Sequence, residues 1–163
     1  MTEFTEAINR LAQNVDADKA LEDEHARWRL YEAAARSAQK MPIIYQALRF
    51  EGNELLLSAT VIHILPLVVD DERADWVDLL PQGRSRDYAA RRATELHILE
   101  ARTAVDSPVA SREEINNWSQ WLQLRIAERS ENTDLLSELS EVGTTKRIRH
   151  EARQRVRSLT KGR

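Results

Sequence analysis

The chain has 163 residues, 42 % of them hydrophobic and 31 % charged, with a net charge of −3, four glycines, four prolines and no cysteine. Disulfides, thiolate catalysis and cysteine-based zinc sites are therefore excluded, and so little Gly and Pro punctuation favours long helices over a strand-and-turn fold. Charge is unevenly placed: residues 1–80 carry 8 basic and 15 acidic side chains, whereas residues 81–163 carry 16 basic and 12 acidic ones.

In chain order, Thr2 is placed to cap a first helix whose apolar residues Phe4, Ile8, Leu11 and Val15 recur at helical intervals, until "DAD" at 16–18 breaks it. This opening lacks the basic-then-apolar pattern of a secretory signal, which sets the expectation of a cytoplasmic protein. Asp18 opens a long polar helix reaching to about Gln39, with Leu21, Trp28, Tyr31, Ala35 and Ala38 as its inward stripe. Pro42 suits the first turn of the next helix, where a missing N–H costs nothing, and that helix stops at Gly52. Asn53 caps an apolar helix ending near Pro66. The apolar run 55–69 is interrupted by Ser58, Thr60, His63 and Pro66 and falls short of the roughly 20 residues of a bilayer span, so it reads as buried, with no membrane contact.

Asp70 or Asp71 is expected to cap a short helix containing Trp76, Leu79 and Leu80, closed by "PQG". Ser85 begins a helix to about Thr103. Ser111 and Glu114 form an S-x-x-E capping box ahead of a helix running to about Ser130. Thr133 begins a short helix ended by Gly143, and Thr144 or Thr145 begins the last. These elements make about nine helices in one all-helical domain over 1–163, with N-terminal helices in 1–41 and hairpin-like units in 42–160. Short links between them imply antiparallel neighbours.

Aligning Gly52, Gly83 and Gly143 puts a leucine four positions before each (Leu48, Leu79, Leu139) and an apolar residue five after each (Leu57, Tyr88, Ile148). The separations are 31 and 60 residues, and an origin at Glu113 keeps the apolar phase without a glycine. The segments "WVDLLPQGRSRDYAARRATELHIL" and "LLSELSEVGTTKRIRHEARQRV" resemble HEAT-type helical repeats: a leucine-rich short helix, a turn, then an aliphatic-arginine pair and alanines. Ile148, Arg149 and Ala152 fit that pattern, whereas no arginine follows Tyr88, and the units are shorter than the usual ~40 residues. The resemblance implies a right-handed α-solenoid of stacked hairpins, with an irregular helical bundle as the alternative architecture.

Chemistry-bearing constellations are sparse. His25, His63, His97 and His150 form no metal-binding pattern, and His63 lies inside an apolar helix as a satisfied core residue would. "EDE" at 22–24 reads as a solvated face and "DDE" at 70–72 as helix capping. No catalytic residue, metal ligand or cofactor is assigned.

The strongest candidate surface is the basic C-terminal helix. Lys146, Arg149, Arg153 and Arg157 recur on one face with Arg147 and Arg155 beside them, opposite Ile148, Ala152, Val156 and Leu159. Such a ridge could contact phosphates, or it could be the soluble end of a helical array. Arginine outnumbers lysine twenty to four throughout, which dilutes the local signal. A helix-turn-helix over 135–152 is a minor alternative, weakened by Thr144 where an aliphatic residue belongs. Trp118 falls with Ile115, Leu122 and Ile126, while Trp121 sits at the edge of that stripe and could anchor a partner.

The leading expectation is a non-enzymatic scaffold binding another protein, with homo-oligomerisation possible. The alternative is nucleic-acid binding through the C-terminal ridge. Resemblance to HEAT-like DNA glycosylases gives a third reading, for which the chain is short and no catalytic aspartate can be assigned.

Overall fold

The computed structural model describes residues 2–12 and 17–161. Among these residues there are eleven α-helices and three 3-10 turns, and no strand. The chain is all-helical, and its contacts separate into two compact units, Met1–Ala93 and Thr94–Arg163.

In the first unit, α1 (Glu3–Leu11) begins at Thr2, whose hydroxyl accepts from the Thr5 N–H at 3.2 Å, and it buries Ala7, Ile8 and Leu11. Val15 and Asp16 lie outside the described residues. The single helix expected from Asp18 is two: α2 (Ala17–Glu22) and α3 (Glu24–Ala34). Asp23 leaves helical geometry (φ −114°, ψ 117°) because its carboxylate accepts from the His25 N–H at 2.8 Å, capping α3. That hydrogen bond holds the Asp23 carboxyl below its ordinary range. The acidic "EDE" is thus a helix start, not only a solvated face.

A 3-10 turn at Ala38–Lys40 leads into α4 (Met41–Leu48), with Pro42 in its first turn. Asn53 caps α5 (Glu54–Ile64) by accepting from the Leu56 N–H at 3.0 Å. Pro66 lies in the 3-10 turn Leu65–Leu67 that closes α5. Asp70–Glu72 form a further 3-10 turn before α6 (Arg73–Asp78), and no side chain there caps the helix. Asp70 instead pairs with Arg73 at 2.9 Å, so the expected cap is replaced by an ion pair. Helix α7 (Arg84–Arg102), whose residues from Thr94 on belong to the second unit, follows Gly83, whose φ of 143° requires a residue without Cβ. Within the unit, α1 packs on α2, α3 and α4, and α3 packs on α4 and α5. Ile8, Leu30, Tyr31, Ile44, Val61 and Ile64 are buried among them.

The second unit contains α8 (Arg112–Asn117), α9 (Gln120–Arg129), α10 (Thr133–Val142) and α11 (Lys146–Lys161). The continuous helix expected from Ser111 to Ser130 is broken at Trp118 and Ser119, both extended. The Ser119 hydroxyl accepts from the Leu122 N–H at 3.2 Å, starting α9 afresh, and bonds the Glu95 carboxylate. Ser111 does cap α8, accepting from the Glu114 N–H at 3.1 Å, but the Glu114 carboxylate turns to Arg102 at 2.8 Å. Helix α8 packs on α10, α9 packs on both α10 and α11, and α10 packs on α11.

Fully buried Gln123 ties these helices together. Its amide nitrogen donates to the carbonyls of Ile115 (3.0 Å) and Trp118 (3.1 Å), and its oxygen accepts from the Thr144 N–H (2.9 Å) and hydroxyl (3.0 Å). The turn that Thr144 occupies depends on Gly143. A Cβ there would stand 2.6 Å from the Leu139 carbonyl oxygen and 2.8 Å from Ile148 Cγ2.

Candidate functional site

The last carbonyls of every α-helix lack partners within the helix, and a cation near them is favoured by the helix dipole. This chain meets that need with arginine. Arg27 donates to the carbonyls of Ala20 and Leu21 at the end of α2, Arg73 to those of Leu65 and Val68 beyond α5, and Arg86 to that of Leu80 beyond α6.

The C-terminal ridge is largely an instance of the same device. Arg149 donates to the Gly143 carbonyl at 2.5 Å, Arg153 to the Ser140 carbonyl at 3.4 Å, and Arg155 to the Ser130 carbonyl at 3.1 Å. These close the ends of α10 and α9. The apolar face is as expected: Ile148 and Ala152 are buried, Val156 and Leu159 half-buried. The side chains of Lys146, Arg147 and Arg157 remain exposed and make no hydrogen bond or ion pair among the described residues. Eleven residues of helical rise put Arg157 about 16 Å from Lys146, so the free cations do not form a continuous row. Trp121 is half-buried with the Arg125 guanidinium 5.9 Å from its ring centre, whereas Trp118 is buried.

A different surface emerges in the first unit, at residues that carry no motif. A cavity of about 800 Å³ opens between the start of α4, the strap 67–69 and α6. Tyr45 and Trp76 meet edge to face in its lining, with ring centres 5.1 Å apart, beside Met41 and Pro42. Leu67 and Val69 also line it and stay 51 % and 65 % exposed. The charged residues of the lining are Arg36, Glu72 and Asp75. Arg73, only 2 % exposed, holds the strap: its guanidinium bonds the Leu65 and Val68 carbonyls and the Asp70 carboxylate. The signal in the sequence was "LPLVVD". It reads as the tail of a buried helix, but Pro66 ends helical geometry and leaves Leu67 and Val69 facing solvent.

A second buried polar cluster of this unit is structural. Arg27 makes a bidentate pair with Glu51 (2.8 and 3.1 Å), and the Tyr31 hydroxyl donates to the same carboxylate at 3.1 Å. The Asn53 N–H adds a bond of 3.1 Å to Glu51, and the Arg27 guanidinium also lies 5.8 Å from the centre of the Phe4 ring. Burial, reinforced by the neighbouring Glu51 charge, pushes the Tyr31 phenol far above its ordinary range. His63 packs edge-on against Trp28 with ring centres 5.6 Å apart. Among the described residues no group of three or more His, Asp or Glu side chains is arranged to hold a metal ion, and no helix is long and apolar enough to cross a membrane. Compared with models of known protein families, with curated proteins and with solved structures, the chain matches none.

Proposed function

We propose that this chain is a non-enzymatic scaffold that binds another protein, with the apolar groove of the first unit as its contact surface. The observation that carries the reading is the groove itself: about 800 Å³, lined by Met41, Pro42, Tyr45 and Trp76, with Leu67 and Val69 more than half exposed. A contiguous apolar surface of this kind costs free energy in water and marks a place where another apolar surface docks. Leu55, 84 % exposed at the start of α5, adds a further apolar position on the same unit.

For the second unit we propose HEAT-like stacking. Support comes from α8 lying on α10 and α9 on α11, first helix on first helix and second on second. Each hairpin then covers a face that its neighbour would otherwise leave bare.

The phosphate-binding reading is weaker, because Arg149, Arg153 and Arg155 are engaged by helix-end carbonyls. Among the described residues of that helix, Lys146, Arg147, Arg157 and Lys161 are offered to it without such bonds.

Affinity capture from the native cell with nuclease treatment, using the full chain and its Leu67→Asp/Val69→Asp variant, tests the proposal. A protein retained by the wild type after nuclease and lost by the variant is the expected result. Recovery of nucleic acid alone, or of no macromolecule, would overturn it.

A further inference from the structure

We infer that the groove of the first unit takes an amphipathic segment of another protein in which apolar anchor residues are flanked by lysine or arginine. This rests on the protein-binding reading and specifies the chemistry of the partner.

Two features argue for a polypeptide over a small molecule. A compact ligand is held by enclosing most of its surface, roughly 70–90 % of it. Here Leu67 and Val69 line the cavity yet remain 51 % and 65 % exposed, so the walls form an open trough. The lining also combines an aromatic pair, Tyr45 and Trp76, with the flexible Met41, a surface suited to apolar side chains of more than one shape.

Charge selects among polypeptides. Asp71, Glu72 and Asp75 are exposed along the start of α6 and form no ion pair among the described residues. The cation in their midst, Arg73, is turned inward and spent on Asp70 and two carbonyls. Of the charged residues that line the groove, Arg36 offsets one of the two carboxylates, Glu72 and Asp75, and the lining stays net acidic, with Asp71 exposed next to Glu72. Lysine or arginine beside the anchors would meet carboxylates already in place, adding attraction that salt screens.

A second copy of this chain is a poor occupant. Its basic amphipathic helix, α11, already buries Ile148 and Ala152 within its own unit, and three of its arginines close helix ends there.

A random linear peptide library displayed on phage, selected on the immobilised full chain, supplies the probes. Enriched peptides, labelled with fluorescein, are titrated by fluorescence anisotropy at low and high salt against four proteins: wild type, Leu67→Asp, Glu72→Lys/Asp75→Lys, and Lys146→Glu/Arg147→Glu. All substituted positions, Leu67 included, are exposed rim or surface sites, and circular dichroism checks that helicity is kept.

The expected peptides carry two or more large apolar residues with Lys or Arg beside them. Their affinity falls by about tenfold or more in Leu67→Asp. In Glu72→Lys/Asp75→Lys it falls and loses its salt dependence, while Lys146→Glu/Arg147→Glu leaves it unchanged. Should Leu67→Asp lose helicity, the carboxylate variant alone decides. Acidic or uncharged peptides, or binding indifferent to the groove substitutions, would overturn this inference and leave the protein-binding reading standing. Self-association in place of peptide binding would also overturn it. No enrichment of any peptide would sink both.

Discussion

The Arg149 guanidinium donates to the carbonyl oxygen of Gly143, six residues earlier, so the second helix of the hairpin closes the end of the first. Arg153 reaches the Ser140 carbonyl one turn back along α10. A residue chosen for its charge thus acts as a cap. Arg149→Ala is expected to lower unfolding stability by about 1 kcal/mol, the scale of a charge-assisted hydrogen bond at a partly exposed helix end. Lys146→Ala, which removes an exposed cation without a partner among the described residues, should stay within about 0.5 kcal/mol of the parent. Urea denaturation of both variants makes the comparison. Equal midpoints would mean that the Gly143 bond contributes nothing. The same contrast bears on nucleic-acid binding, because any loss seen on reversing Arg149 and Arg153 must be separated from a weakened fold.

Gly143 and Gly52 should respond oppositely to alanine. At Gly143 a Cβ would meet the Leu139 backbone oxygen at 2.6 Å, which cannot move without disturbing α10. Gly143→Ala should therefore cost about 1–3 kcal/mol, the range of overpacked sites. At Gly52 nothing lies within 4 Å and φ is not positive, so Gly52→Ala should be neutral or should stabilise by up to ~1 kcal/mol by restricting the unfolded chain. Thermal melts of the two variants provide the check.

Much of the helical plan could be read from residues. Thr2, Pro42, Asn53, Ser111 and Gly143 stand where their local chemistry places them, at helix starts and at one helix end. The breaks at Asp23 and at Trp118–Ser119 were hidden because apolar periodicity runs straight through both. A cap wins there by a single side-chain bond, to the His25 N–H in one case and the Leu122 N–H in the other. The basic ridge was legible as a face but not as a function. Periodicity tells which side of α11 carries arginine, and only the carbonyls of α9 and α10 determine where those long side chains end. The groove was not legible, because Leu67 and Val69 look like core until Pro66 turns the strap and Arg73 pins it.

Removing the Glu51 carboxylate should be among the most damaging single changes in the first unit. Glu51 and Arg27 are both about nine-tenths buried, and Glu51→Ala would strand the Arg27 guanidinium together with the Tyr31 hydroxyl. The expected loss is about 3–5 kcal/mol, the range for breaking a buried pair from one side. Arg27→Met/Glu51→Leu should cost less than the sum of its single variants, since no charge is then left alone. Additive losses in urea denaturation would show that the two residues do not act as a pair.

The Tyr31 phenol sets an alkaline limit. Its folded-state value is raised above the ordinary 10, so its contribution is complete below pH 10. As pH climbs beyond that, the unfolded chain releases the proton while the folded one keeps it, and stability falls. Wild-type protein should lose stability between pH 10 and 11.5 more steeply than Tyr31→Phe, about 1.4 kcal/mol per pH unit being the most one proton can contribute. Absorbance at the tyrosinate band should show one of the three tyrosines ionising only as the chain unfolds. Parallel stability curves for the two proteins would refute the effect.

Gln123 has its own consequence for how the second unit comes apart. Its one amide group serves the exits of α8 and the approach to α11 together. The final helix therefore cannot peel away while the earlier ones hold, as a frayed terminus would. Slow amide-proton exchange should be lost from α8, α9 and α11 in a single opening event, making these helices one cooperative foldon instead of a graded series.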